Sequence, residues 1–207
     1  MPHPRPAPLS AEGFQTAAAV SRETLRRLGT YLNLLEKWQP RINLVGAATL
    51  RDPWRRHFLD SAQLVPLLPE STQTLVDLGS GAGFPGLVLA ILGVPDVHLI
   101  ESDHRKVAFL REVAAATGTA LTIHPSRIEG VPPFAADVVT ARALAPLAPL
   151  LDYAIPFLGP RGVCLFLKGG QAESEIAEVQ RLMTIDRFQS QSDPSGIILR
   201  LGAISPI

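Results

Sequence analysis

The stretch LVDLGSGAGFPG, residues 75–86, places Gly79, Gly81, Gly83 and Gly86 between an apolar β-rich run and a helical one. Glycine there lets the chain turn tightly and lets its backbone approach a ligand closely. Glu101 closes the next β-rich run, where a carboxylate can accept both hydroxyls of a ribose. Gly81, Gly83 and Gly86 also satisfy GxGxxG, so two nucleotide-type cofactors compete for the loop. Pro85 removes a backbone donor that a pyrophosphate would use, and Asp77 adds negative charge nearby; both disfavour a dianion. S-adenosylmethionine has no phosphate and carries an ammonium and a sulfonium, so an acidic strand end suits it better. A glycine turn with only a structural role is the remaining reading.

Such a loop works only if a sheet holds it. After Thr74 the sequence alternates short β-rich runs with helical ones: TLVDLG, then Pro85 to Leu92, DVHLIES, then Arg105 to Thr117 ended by Gly118. ALTIH, ADVVTA and GVCLFLK add three strands, with helices at Leu147 to Phe157 and Ser174 to Met183. This alternation predicts a mostly parallel sheet covered on both faces. DRFQSQS, DPSG and IILRLGAI read as two further strands joined by a turn, seven in all. Upstream, Leu25, Leu28, Leu32 and Leu35 recur at helical spacing from Ser21 until Pro40. Asp52-Pro53 offers an N-cap with proline at the first helical position, predicting a second helix to about Leu68. The expected organisation is a flexible tail over 1–9, a helical cap over 10–70 and one compact unit over 71–207.

With 207 residues, 46% apolar and 18% charged, the chain can bury a full core and is not disordered. Nineteen basic residues balance nineteen acidic ones, so any polyanion must be met by a local patch. The sole cysteine, Cys164, permits no internal disulfide and points to a reducing compartment, hence a cytoplasmic protein. Leu87 to Val94 is too short to cross a bilayer, and Ala143 to Leu158 is interrupted by Asp152 and three prolines. The start MPHPRPAPLS has no apolar core and is not expected to act as a secretory signal.

DLGSGAGFPG followed by IESDHRKVAFLRE resembles the first two motifs of class I methyltransferases. The form GxGFPG, preceded by RHFLDS, is similar to one family among them, the bacterial small-subunit ribosomal RNA methyltransferase G family, also called glucose-inhibited division protein B. The likeness runs from about Leu32 to Gly170 through LLEKWQPRINLVG, RHFLDS, SRIEG, ADVVTARALAPL and FLKGG. IILRLGAISPI lacks the basic end common in that family. The resemblance implies a Rossmann-like class I fold with an N-terminal helical cap, S-adenosylmethionine as cofactor, and methylation of N7 of a guanine in 16S rRNA, free or in a small-subunit particle. A non-catalytic regulator that binds S-adenosylmethionine or a nucleotide on the same fold is the alternative.

The residues agree with that target. Methylation at C5 of a pyrimidine uses a cysteine that adds to the ring, whereas Cys164 sits in an apolar strand and reads as core. Exocyclic amine methylation usually brings an (Asp/Asn)-Pro-Pro-aromatic turn after the fourth strand. Here ADVVT runs into Ala141-Arg142-Ala143, and Val131-Pro132-Pro133-Phe134 precedes the strand. Guanine N7 exposes an in-plane lone pair and bears no proton, so alignment alone can suffice. No catalytic acid or base is expected.

The cofactor contacts expected are Asp77, Gly79, Gly81, Gly83 and Phe84 of the loop, Glu101 and Ser102 after the second strand, Ile128 and Glu129 of SRIEG, and Arg142, which resembles the family's arginine where cofactor and substrate meet. Lys37, Arg41, Arg51, Arg55, Arg56 and His57 face only Asp52 among nearby acids, which reads either as a phosphate-binding patch or as a solvated helix face. The RNA contacts expected are Arg41, Asn43, Arg55, His57, Arg127 and Lys168. Asp60 and Ser61 either share that role or fix the cap to the sheet. His98, His104 and His124 are scattered, so no metal site is expected, and the chain is expected to be a monomer.

Overall fold

Seven strands pair into one sheet in the computed structural model, which describes residues 7–179 and 184–202. They are β1 (Thr74–Leu78), β2 (Asp96–Ile100), β3 (Thr122–His124), β4 (Ala136–Arg142), β5 (Leu158–Lys168), β6 (Thr184–Gln189) and β7 (Ile197–Gly202). Their order is β3-β2-β1-β4-β5-β7-β6. The first five are parallel, and β7 runs antiparallel to both β5 and β6. The order reverses between β1 and β4, and open parallel sheets bind ligands at such a switch point, beyond the carboxyl ends of the strands.

The helices are α1 (Ala11–Ala18), α2 (Arg22–Trp38), α3 (Asp60–Ala62), α4 (Gly86–Ile91), α5 (His104–Thr117), α6 (Leu147–Ala154) and α7 (Ala172–Val179). Ser10 and Ser21 cap α1 and α2 by accepting from the amides of Gly13 and Thr24, each at 3.0 Å. One face of the sheet packs Leu75, Val97, Leu99 and Val138 against Phe14, Leu28, Tyr31, Leu35 and Phe58. The other packs Val76, Leu78, Val139, Cys164 and Phe166 against Leu147, Leu151 and Ile176. The N-terminal helices thus share a core with the sheet.

Three expectations are corrected. The helix predicted from Pro53 to Leu68 is not continuous: a wide π-helical turn spans Trp54–Leu59, α3 follows, and a tight 3-10 turn spans Val65–Leu67. Pro66, which lacks an N–H, does not continue the α-helical ladder. Residues 7–9 are not a free tail, because the Leu9 amide donates to Asp52 Oδ1 at 2.8 Å and Arg55 Nη2 donates to the Ala7 carbonyl at 2.8 Å. The helix predicted to start at Ser174 starts at Ala172. Its predicted end at Met183 lies outside the described residues, as do the first six residues of the expected tail and the last two of the final strand.

Candidate functional site

The glycine loop leaves β1 with Gly79, Gly81 and Gly83 in the left-handed region, at φ of 63°, 57° and 90°. A Cβ on Gly83 would lie 2.6 Å from the Tyr31 hydroxyl and 2.9 Å from Leu87 Cβ, so the backbone there tolerates only glycine. The Tyr31 hydroxyl donates to the Ala82 carbonyl, clamping the loop from α2. Phe84 is buried against Tyr31 and His57, with ring centroids 5.1 Å and 4.8 Å away, and the Arg142 guanidinium lies 5.0 Å from the same ring.

Two clefts open beside this loop and share Gly79, Lys106 and Ala143. The smaller, about 310 Å³, is lined by Glu101, Ser102, Arg127, Ile128, Glu129 and Leu144 among others. Glu101 is only 8% exposed, and its carboxylate accepts from the amides of Gly81 at 2.8 Å and Asp103 at 2.7 Å. Each oxygen keeps a lone pair, so Glu101 can still receive ribose hydroxyls. Ile128 and Leu144 offer an apolar wall for a base. The carboxylate and the apolar wall therefore fit the ribose and base of S-adenosylmethionine. Ala143, at the junction, has φ of 52°, a conformation L residues adopt at a cost and which clusters at ligand sites.

The larger cleft, about 710 Å³, lies between the sheet edge, the cap segment Leu44–Thr49 and the turn joining β6 to β7. His57, Phe84, Arg142 and Lys168 all reach it. Three carboxylates line it, and each is already held: Asp60 by Arg142 at 3.2 Å, Ser192 and Gln63; Glu175 by Lys168 at 2.5 Å and the Leu147 amide; Asp193 by Arg56 at 2.6 Å.

Several expected contacts lie elsewhere or are otherwise engaged. Asp77 is fully buried beneath the loop and lines neither cleft; Oδ1 accepts from Thr140 at 2.7 Å and Oδ2 has no hydrogen-bond partner among the described residues. Burial pushes its pKa up to about 6 against the Thr140 hydrogen bond. Gly83 lines neither cleft, its place being under Tyr31. Arg55 is tied to Asp52 at 2.8 Å and to Ala7. Burial first, then the charges of Arg142 and Arg56, push the His57 pKa down to about 3, so a cationic phosphate contact is replaced by a neutral ring 4% exposed. Lys168 Nζ is spent on Glu175 and the Ala145 carbonyl, joining β5 to α7. Arg127 is exposed at the smaller cleft, on the cofactor side. The basic run is dispersed because partners distant in sequence come to it: Glu112 to Lys37 and Asp193 to Arg56. Arg41, Asn43 and Arg51 are exposed, and neither arginine has an ion pair among the described residues. Asp60 joins the cap to β4 through Arg142 and also lines the larger cleft, whereas Ser61 is buried and donates to the His57 carbonyl four residues back.

Lys106, half-buried and lining both clefts, escaped sequence reasoning. Its signal was present in the first turn of the helix that follows Glu101. Among the described residues no three His, Cys, Asp or Glu side chains are grouped to hold a metal.

A family model described as rRNA small subunit methyltransferase G matches residues 24–197. The chain is 60% identical to the Ribosomal RNA small subunit methyltransferase G of Rhodospirillum rubrum over 95% of its own length and 98% of the relative's. It is 59% identical to that of Rhodospirillum centenum over 97% and 94%. Among solved structures, the ribosomal protein L11 methylase from Lactobacillus delbrueckii subsp. bulgaricus aligns at TM-score 0.54 with 20% identity, over 69% of this chain and 77% of that one, a likeness of fold.

Proposed function

Because the chain belongs to the rRNA small subunit methyltransferase G family and is thereby a class I S-adenosylmethionine-dependent methyltransferase, we propose that it methylates N7 of a specific guanine in 16S rRNA at the junction of the two clefts. The observation that carries this reading is the shared border at Gly79 and Ala143, where a cofactor-sized cleft opens onto a second one faced by Arg142. When bound, S-adenosylmethionine supplies an electrophilic methyl on a sulfonium. Glu101 would hold the ribose, and Ile128 and Glu129 would border the base. Gly79 borders both clefts and packs against Leu144.

Arg142 anchors through Nη1 alone, to the Arg56 carbonyl, His57 Nδ1 and Asp60 Oδ2, each at 3.2 Å. Its Nε and Nη2 have no hydrogen-bond partner among the described residues, so they can donate to acceptors of the target nucleotide. N7 would take the methyl and release a neutral thioether without losing a proton, a reading supported by Cys164, 1% exposed with its thiol pKa pushed up to about 12 by burial, by the neutral, doubly bonded His57 and by the occupied cleft carboxylates. Catalysis then consists of alignment and exclusion of water. No helix among the described residues is long and apolar enough to cross a membrane; the protein acts in the cytoplasm as a monomer on rRNA or a small-subunit particle.

Labelled S-adenosylmethionine incubated with small-subunit particles, precursor particles or naked 16S rRNA from a strain lacking the enzyme tests the proposal. Label recovered as 7-methylguanosine is expected. Label on another atom, or none on any of the three substrates, would overturn it.

A further inference from the structure

We propose that His57 is a positioning residue for methyl transfer: as a neutral ring with its proton on Nε2, it accepts a hydrogen bond from Arg142 and thereby aims the unbonded edge of that guanidinium into the larger cleft. The inference rests on the reading of that cleft as the target-nucleotide site. It begins with which atoms can donate. Arg142 Nη1 lies 3.2 Å from His57 Nδ1, and a guanidinium has no acceptor, so a hydrogen bond between them needs Nδ1 unprotonated, with the two Nη1 hydrogens shared among three acceptors. The neutral ring then carries its proton on Nε2, which faces Thr49 Oγ1 at 2.8 Å. The Thr49 hydroxyl in turn donates to the Gly46 carbonyl at 2.6 Å. Every hydrogen bond from Arg142 through His57 and Thr49 to Gly46 runs in one direction, and a proton on Nδ1 would set two donors against each other.

The charged groups around the ring are Arg56 on its own turn, Asp60 on α3 and Arg142 on β4. Two cations and near-complete burial keep the imidazole neutral, in line with its pKa near 3. Neutrality is what the site needs. Asp60 already balances the guanidinium charge with one carboxylate, and a second would make the cluster net negative and compete for Nε and Nη2. An imidazole acceptor fixes the same nitrogen without cancelling charge. The wide turn over Trp54–Leu59 presents both the Arg56 carbonyl and the His57 ring to Arg142, and π-helical turns recur at functional sites. His57 also stacks on Phe84, so guanidinium, imidazole and loop are fixed together.

The test is a double-mutant cycle on single-turnover methyl transfer with RNA prebound, paired with NMR of the imidazole nitrogens in the free protein. His57→Phe, which keeps a ring against Phe84, is expected to lower the rate about 10- to 100-fold, since an ångström of misplacement can cost that much. S-adenosylmethionine affinity by calorimetry should remain within about twofold. In an Arg142→Ala background the same substitution is expected to cost less than about twofold, because the group it positions is gone. Equal losses in both backgrounds would overturn the proposal, since a purely structural role is additive. Independently of any activity, the wild-type ring is expected to show the Nε2–H tautomer from pH 8 down to pH 5. A protonated ring or an Nδ1–H tautomer there would overturn the proposal even if methyl transfer to rRNA is confirmed.

Discussion

Asp77 and Thr140 occupy neighbouring strands, and their hydrogen bond crosses the switch point directly under the glycine loop. Sequence reasoning put Asp77 in the cofactor site because it counted charge near the loop. The strand period decides otherwise: Leu75 and Asp77 point to the same face, and Leu75 belongs to the core under the N-terminal helices. Its pKa is raised from 3.8 to about 6, mainly by burial. The stability it contributes is therefore complete below about pH 4 and is lost as pH rises through about 6, where the buried carboxyl ionises. The ionised form costs on the order of 3 kcal/mol at pH 8. Asp77→Asn keeps an acceptor for Thr140 and cannot ionise. Urea unfolding at pH 4.5 and pH 8 is expected to show the variant matching or exceeding wild type at pH 8, with a smaller difference between the two pH values. An identical pH dependence in both proteins would mean that Asp77 is not the group that titrates.

At the scale of elements, α2 ties the cap to the methyl-transfer unit by three separate devices. Tyr31 holds the Ala82 carbonyl, Arg27 Nε and Nη2 donate to Thr117 at the end of α5 and to Thr119 just beyond it, and the Trp38 indole donates to Glu112 at 2.9 Å. Several elements were legible from their own apolar period, α2 by its leucines and β1, β2 and β4 by their apolar runs, whereas the broken helical segment after Pro53 was not. The joins were not, because they link residues far apart in sequence through polar side chains that carry no periodic signal. Gly83 marks the tightest join. Gly83 and Gly118 both have positive φ, but a Cβ on Gly118 meets nothing within 4 Å. Gly118→Ala should then cost only the left-handed conformation, about 1–2 kcal/mol. Gly83→Ala adds a clash with Tyr31 and Leu87 and is expected to cost about 1–3 kcal/mol more. Equal losses in chemical denaturation would show that the loop can move away from α2, against a clamp.

At the scale of the whole molecule the chain has zero net charge, so the salt-dependent part of RNA binding would rest on local cations that the fold leaves exposed. The basic run was visible in the sequence, but which of its members are free was not, since their partners Glu112 and Asp193 are distant along the chain. Arg41 and Arg51 flank the cap segment that borders the larger cleft, and they are exposed. Arg55 is half-buried and held by Asp52 and Ala7. Each phosphate neutralised adds about 0.7–0.9 to the slope of log affinity against log salt. Arg41→Ala with Arg51→Ala is therefore expected to reduce that slope by about 1.4–1.8, with S-adenosylmethionine affinity unchanged because neither residue lines a cleft. Arg55→Ala should leave the slope alone and lower thermal stability, since it removes the bonds to the Ala7 carbonyl and to Asp52. RNA affinity measured across a salt series for the three proteins separates these roles: a slope that falls with Arg55→Ala but not with the double variant would place the phosphate path over the N-terminal segment instead of over the cap loop.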